Sequence, residues 1–155
     1  MEMQERSTAH LARDEGRKIR APGGPFTRKV AAGQTGGAYS LFERSVPPGE
    51  GDPPHIQHRE DECFYVVEGE LDFLVGEEVL AARAGSLIFV PRGTVHALTN
   101  TGETPARILD VTTPGGTHER LLEEVGEGVD AGDLRLIYTR YGIEMVDSPV
   151  HPAGG

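Results

Sequence analysis

The chain has 155 residues and a formal net charge of −10, with 37% hydrophobic and 26% charged residues. This balance is typical of one globular domain with its own core. An acidic chain repels phosphate backbones, so we expect no nucleic-acid partner. No apolar run approaches the ~20 residues of a membrane helix, and the N-terminus lacks an apolar signal segment. Because Cys63 is also the only cysteine, we expect a cytoplasmic protein with no membrane partner.

Three regions follow one another along the chain. Residues 1–24 are polar and charged and end in Ala-Pro-Gly-Gly, which predicts a flexible N-terminal arm. Residues 25–113 alternate short β-rich runs with Gly/Pro turns, the pattern of an all-β barrel or sandwich. The predicted strands are Phe26–Val30, Ala38–Val46, His55–Gln57, Glu62–Val67, Leu71–Val75, Val79–Ala82, Leu87–Val90, His96–Thr99 and Arg107–Thr112.

Residues 114–155 show a different period and predict a helical C-terminal extension and tail. Thr117–Val125 has a helical pattern that ends at Gly126. Asp130–Tyr141 predicts a second helix, and Ile143–Val146 a last short strand.

Four polar residues of the β region have the spacing of a metal site. His55 and Gln57 lie two residues apart, so in a strand they share one face. Glu62 belongs to the next predicted strand, and His96 begins a later one. A barrel can bring such residues to one point on its inner wall. Two imidazoles, an amide oxygen and a carboxylate suit a divalent transition metal ion.

These residues lie in two motifs that resemble those of the cupin superfamily. The first cupin motif is Gly, five residues, His-x-His, three or four residues, Glu, six residues, Gly. The second is Gly, five residues, Pro-x-Gly, two residues, His, three residues, Asn. Here the motif positions are Gly49, His55, Gln57, Glu62 and Gly69, then Gly85, Pro91, Gly93, His96 and Asn100.

The resemblance implies an all-β cupin fold, a double-stranded β-helix or jelly-roll barrel, followed by a short C-terminal helical segment. It also implies one divalent transition metal ion (Fe, Ni, Mn, Cu or Zn), with His55, Gln57, Glu62 and His96 as the expected ligands. Small cupins commonly pair through their barrels, so we expect a homodimer.

One position departs from the cupin pattern. Gln57 stands where the second histidine of the first motif is expected, and His58 follows it. The register predicts that Gln57 faces inward and His58 outward. A local β-bulge would exchange the two.

Several other residues have competing interpretations. Glu62 inside a barrel is costly unless it ligates a metal or pairs with an arginine, for which Arg44 and Arg107 are candidates. Cys63 should face away from Glu62 as a small buried hydrophobic residue. The histidines outside the motifs are expected to be solvated, namely His10, His118 and His151.

Aromatic side chains of the predicted barrel are expected mainly in its core. Since pocket walls are largely apolar, we also expect Phe64, Phe73 and Phe42 to contact a small-molecule substrate.

The stretch from Pro53 to Gly69 resembles small bacterial cupins related to quercetin dioxygenases. This resemblance implies a metal-dependent dioxygenase acting on an aromatic or polyketide-like small molecule, with Glu62 as both ligand and catalytic base. Because one imidazole is missing, a non-oxidative cyclase, isomerase or lyase of secondary metabolism is the alternative. A non-catalytic small-molecule-binding cupin is the third interpretation, since fold alone does not fix function.

Overall fold

The computed structural model describes residues 7–126 and 129–147, so His151 lies outside the described residues. Every predicted strand is present, most with ends shifted by one or a few residues. The strands are β1 (Arg17–Ile19), β2 (Phe26–Val30), β3 (Ser40–Val46), β4 (Gly51–Gln57), β5 (Asp61–Glu68), β6 (Glu70–Val75), β7 (Glu78–Arg83), β8 (Leu87–Val90), β9 (Val95–Thr99), β10 (Ala106–Thr113) and β11 (Ile143–Met145). The helices are α1 (Thr117–Val125) and α2 (Ala131–Arg140), and Ala32–Thr35 forms a 3-10 turn.

The strands form two antiparallel sheets that enclose a jelly-roll barrel. One sheet has the strand order β1-β2-β3-β10-β5-β8, and the other has the order β11-β4-β9-β6-β7. The predicted all-β class with a helical C-terminal segment is confirmed. Alternate residues of β3 and β10 are buried, as expected when one face of each strand lines the core.

Two apolar clusters fill the interior. The first cluster is centred on Phe64, Phe73 and Leu71. The second cluster is centred on Phe26 and Phe42 and includes residues of α1. A buried histidine packs against each cluster. The ring centroids of Phe64 and His96 are 6.2 Å apart, and those of Phe42 and His118 are 5.2 Å apart. The barrel interior therefore has a polar site bounded by apolar packing.

The N-terminal segment is attached to the barrel more firmly than its composition suggests. Arg17–Ile19 pairs with β2 as an edge strand, and Ile19 is buried in the second cluster. Lys29 Nζ also donates hydrogen bonds to the carbonyl oxygens of Ala12, Arg13 and Glu15. The prediction of a flexible arm up to residue 24 is therefore wrong for the part that follows Ala12.

The C-terminal extension covers one end of the barrel. Helix α1 has the predicted bounds, and Asp130 caps α2 by accepting hydrogen bonds from the backbone of Gly132 and Asp133. Leu121 and Leu122 pack into the second cluster, and β11 pairs with β4. Among the described residues, no helix is long and apolar enough to span a bilayer.

Candidate metal centre

Three strands bring the predicted ligands together. His55 on β4 and His96 on β9 are direct cross-strand neighbours, with ring centroids 4.1 Å apart. Glu62 reaches them from β5 in the facing sheet, and its Oε1 lies 3.1 Å from His96 Nε2. One ligand atom from each residue lies within 4.8 Å of the others, and all three side chains are buried. The three ligand atoms are close enough together to hold one cation.

Backbone carbonyls fix the orientation of both imidazoles. His55 Nδ1 lies 2.9 Å from the carbonyl oxygen of Pro53, and His96 Nδ1 lies 3.1 Å from that of Thr94. A carbonyl oxygen only accepts, so each Nδ1 carries the hydrogen and each neutral ring keeps its lone pair on Nε2. Metal-binding histidines are commonly held in this way.

The electrostatics favour neutral imidazoles. Burial, reinforced by the neighbouring His96, lowers the pKa of His55 to about 4. Burial also lowers the pKa of His96. Because a metal ligand must be deprotonated, these shifts prepare both rings for a cation.

The contact between His96 and Glu62 fits a cation. The Nε2 lone pair of a neutral His96 faces the oxygen lone pairs of an ionised Glu62, which is unfavourable unless a proton or a cation joins them. Burial raises the pKa of Glu62 to about 7. A divalent ion at this point would satisfy both groups without protonating the carboxylate.

Gln57 faces inward, as the register predicts. It is 5% exposed, and its Oε1 is buried with no hydrogen-bond partner in the described part of the chain. His58 instead lies outside, where its half-exposed ring contacts Glu144 at 2.9 Å. The alternative in which a bulge turns His58 inward is therefore wrong, and the Gln57 amide oxygen is available to a cation or a substrate.

A cavity opens beside these residues. One part of its wall is polar and the other is apolar, and the apolar part comes largely from the C-terminal extension. The polar lining is His55, Gln57, Glu62, Arg44, Asp52, Asp110 and His118. The main apolar and aromatic lining is Phe26, Leu121, Leu122, Val125, Tyr138, Ile143 and Met145.

The phenylalanines predicted to contact substrate are core residues. Phe64 and Phe73 pack against each other with ring centroids 5.3 Å apart, and Phe42 packs in the second cluster. All three are 0% exposed, and Phe26 rather than Phe42 lines the cavity. The substrate-contact prediction is corrected accordingly, because the inner face of a small barrel is filled by side chains below the site.

His118 was expected in solvent, but the structure buries it. Its side chain lines the cavity and packs against the Phe26 and Phe42 rings. The signal was present in the sequence, since His118, Leu121, Leu122 and Val125 recur at helical spacing on one face of α1. His10 is exposed, as predicted.

The arginines proposed as partners of Glu62 bind other carboxylates. Arg44 is buried and holds Asp52 with two hydrogen bonds, of 2.9 and 2.8 Å. Arg107 binds Glu43. Glu62 therefore forms no ion pair with either arginine among the described residues, and the structure favours a role for it at the site with the histidines.

Comparison with known proteins identifies the fold family. Residues 42–112, the greater part of the barrel, match the family model described as "Cupin domain". The solved structure of KdgF from Halomonas sp. superposes with a TM-score of 0.64 at 18% identity, covering 73% of this chain and 99% of that one. At this identity the likeness concerns the fold alone.

Two curated relatives share part of the sequence. Nectarin-1 of Nicotiana langsdorffii x Nicotiana sanderae is 39% identical over 75 residues, which is 45% of this chain and 33% of the relative. The tetracenomycin polyketide synthase protein TcmJ of Streptomyces glaucescens is 31% identical over 93 residues, 59% of this chain and 62% of the relative. The chain thus spans about a third of one relative and less than two thirds of the other.

Proposed function

We propose that this cupin is a metal-dependent enzyme that removes a proton from an aromatic or polyketide-like small molecule. The observation that carries the proposal is the cluster of His55, His96 and Glu62, of which His55 and Glu62 line a cavity that also has an apolar lining. Two imidazoles and one carboxylate suit a divalent transition metal and leave coordination positions open. When bound, such a cation supplies Lewis-acid polarisation of a substrate oxygen.

Each group of this chain then has a definite task. His55 and His96 hold their lone pairs toward the site because the carbonyl oxygens of Pro53 and Thr94 fix their Nδ1 hydrogens. Glu62 receives the substrate proton on a carboxylate oxygen, since burial favours its protonated form. Gln57 donates or accepts one hydrogen bond to orient the substrate oxygen.

The cavity wall favours a partly apolar substrate. Leu121, Leu122 and Val125 of α1 and Tyr138 of α2 line the same cavity as the polar residues. A partly apolar small molecule would place its oxygens toward His55 and Gln57 and its hydrocarbon surface toward the helices. The similarity to TcmJ, whose name places it with a polyketide synthase, supports this class.

Proton removal leads to ring closure, isomerisation or elimination, and we favour this non-oxidative chemistry. A dioxygenase is the second candidate, because the set of two histidines and one carboxylate also occurs in oxygenases. The comparisons do not specifically support the narrower resemblance to quercetin dioxygenases.

The decisive experiment is turnover with and without O2. The purified chain, loaded in turn with Fe²⁺, Ni²⁺, Mn²⁺, Cu²⁺ or Zn²⁺, is incubated with polyhydroxylated aromatics and linear polyketide mimics. Product formation is followed by mass spectrometry, and O2 consumption by an electrode. Turnover at the same rate under anaerobic conditions supports the non-oxidative proposal. Turnover that requires and consumes O2 would identify a dioxygenase, and metal-dependent binding without turnover would identify a binding protein.

Replacing Gln57 by histidine should tighten metal binding. Imidazole is a better ligand than an amide for first-row divalent metals, and Gln57 already faces the site. We expect at least about a tenfold lower Kd for Ni²⁺ by titration calorimetry, comparable to effects of groups next to metal ligands. His58→Ala is the matched control, since His58 lies on the outer face. Loss of metal binding in that control with no change in Gln57→His would contradict the assignment.

We also propose that two copies pair through the outer face beside β8. Tyr65, Leu87 and Phe89 are 42%, 60% and 57% exposed on this face, and Cys63 is half-buried there rather than in the core. Strand β8 is an edge, and two such edges can pair about a two-fold axis. Light scattering should give a dimer that Phe89→Asp converts to a monomer. A wild-type monomer at micromolar concentration would exclude this pairing.

A further inference from the structure

A second group of potential ligands lies next to the first. Glu62 on β5, Asp110 on β10 and His118 on α1 each offer one ligand atom within 4.8 Å of the other two. They are 3%, 0% and 6% exposed, and all three line the cavity. The group contributes two carboxylates and one imidazole, so only Glu62 is shared with the pair of histidines on β4 and β9.

Three polar atoms of this group lack a hydrogen-bond donor or acceptor in the geometry of the described residues. They are both carboxylate oxygens of Asp110 and Nδ1 of His118, and the close polar neighbour of the Asp110 carboxyl is the carboxyl of Glu62. Arg44 Nη1 lies 3.8 Å from Asp110 Oδ2, beyond hydrogen-bond length, and its guanidinium is engaged by Asp52. A buried polar group without a partner destabilises the fold, so a ligand that satisfies several such groups at once is strongly favoured.

A shared proton accounts for only part of this arrangement. Burial, and then the charge of Glu62, raises the pKa of Asp110 well above its ordinary value. A proton between the two carboxylates would satisfy one oxygen of Asp110. It would leave the second oxygen and His118 Nδ1 unpartnered, whereas a cation accepts lone pairs from all three residues.

The histidine is held in place by the start of α1. The backbone of Gly116 donates a hydrogen bond of 3.0 Å to Ser40 Oγ, and Ser40 Oγ donates one of 2.7 Å to Glu119 Oε1. Burial lowers the pKa of His118, which favours the neutral ring. The Phe42 ring at 5.2 Å supports the imidazole from the side. Such preorganisation is typical of metal ligands.

We propose that Glu62, Asp110 and His118 hold a second divalent cation, and that one carboxylate oxygen of Glu62 is shared between it and the cation of His55 and His96, which leaves the other oxygen to receive a proton. The second site rests on the proposed function only because both use Glu62. Binding of the second cation does not depend on whether the protein is an enzyme. A two-cation site would hold two substrate oxygens, which suits a molecule carrying neighbouring hydroxyl or keto groups.

Mn²⁺ is the probe that tests the second site. The full chain is stripped with chelator, dialysed against Mn²⁺ and assayed for bound manganese per chain by atomic emission. We expect two ions in the wild type, with the electron paramagnetic resonance signal of a spin-coupled pair. His118→Phe removes the nitrogen but keeps a ring against Phe42, and Asp110→Asn keeps the side-chain shape. Both should bind one ion, with the affinity of the second weakened more than 100-fold.

Two further variants separate this site from the first. His58→Ala is the matched control and should bind two ions, while His55→Ala should retain the ion held by Asp110 and His118. One uncoupled ion in the wild type that His118→Phe and Asp110→Asn leave in place would overturn the second site but not the proposed function. A single ion lost in His118→Phe and kept in His55→Ala would support the second site and overturn the first. No bound Mn²⁺ in the wild type would overturn both.

Discussion

Replacing Arg44 by methionine should lower the free energy of unfolding by about 3–5 kcal/mol, the usual effect of removing one partner of a buried ion pair. Arg44 is 1% exposed and binds Asp52 through both terminal nitrogens, while a third hydrogen bond of 2.7 Å reaches the carbonyl oxygen of Gly23. Methionine fills similar space but leaves Asp52 and Asp110 without the only arginine that contacts them among the described ion pairs. Urea denaturation followed by circular dichroism measures the loss.

The exposed pair of Arg83 and Glu70 provides the matched control. Its two side chains are 82% and 59% exposed, and Arg83→Met should change the free energy of unfolding by less than about 1 kcal/mol. Equal small effects of the two substitutions would show that the Arg44 pair is screened by solvent like a surface pair.

The Arg44 pair also gives stability a definite pH dependence. Burial alone would raise the pKa of Asp52, but the charge and hydrogen bonds of Arg44 outweigh it and hold this pKa below its ordinary value. A carboxyl whose pKa is lower in the folded state stabilises the fold at pH values above its unfolded pKa of about 4. That contribution disappears as the pH falls through the lower folded pKa. The difference in stability between wild type and Arg44→Met should therefore shrink below pH 4.

Local patterns were sufficient to predict most of the fold. Helix α1 begins and ends where its period and Gly126 predict, because its apolar stripe and its glycine stop act within one segment. Sequence patterns do not predict strand β1, because its three residues, Arg17–Ile19, are too few to show an alternation of polar and apolar side chains. These residues form a strand because they pair with the edge of β2, and this pairing partner lies outside the segment itself.

The candidate site was predictable where its residues lie on strands of known register. Alternation along β4 correctly separates Gln57 from His58, and the motif spacing correctly brings together His55, Glu62 and His96. Asp110 lies two residues after Ile108 on β10 and shares its buried face, so the alternation predicts an inward position. An isolated carboxylate in a strand, however, gives no sign of its partner. The proximity of Asp110 to His118 depends on how α1 packs over the barrel, and the spacing of residues in the sequence does not predict that packing.

Replacing Glu62 by glutamine should lower the turnover number by about 10²–10⁴-fold, the usual contribution of a general base. Glutamine keeps an oxygen that can contact a cation, but it has no carboxylate to receive the substrate proton. The measurement is turnover of the substrate identified in the anaerobic assay, at a metal concentration that restores full occupancy. Metal content is determined on the same sample, so that loss of the base is separated from loss of the ion.

Glu60→Gln is the matched control for this effect. Glu60 is 2% exposed, and burial followed by the charge of Asp110 raises its pKa to about 7, as burial does for Glu62. It does not belong to the residues that line the cavity. Its amide variant should therefore keep turnover within about threefold of the wild type, since surroundings are similar and only the position relative to substrate differs. A metal-loaded Glu62→Gln enzyme that turns over as fast as Glu60→Gln would show that another group receives the proton.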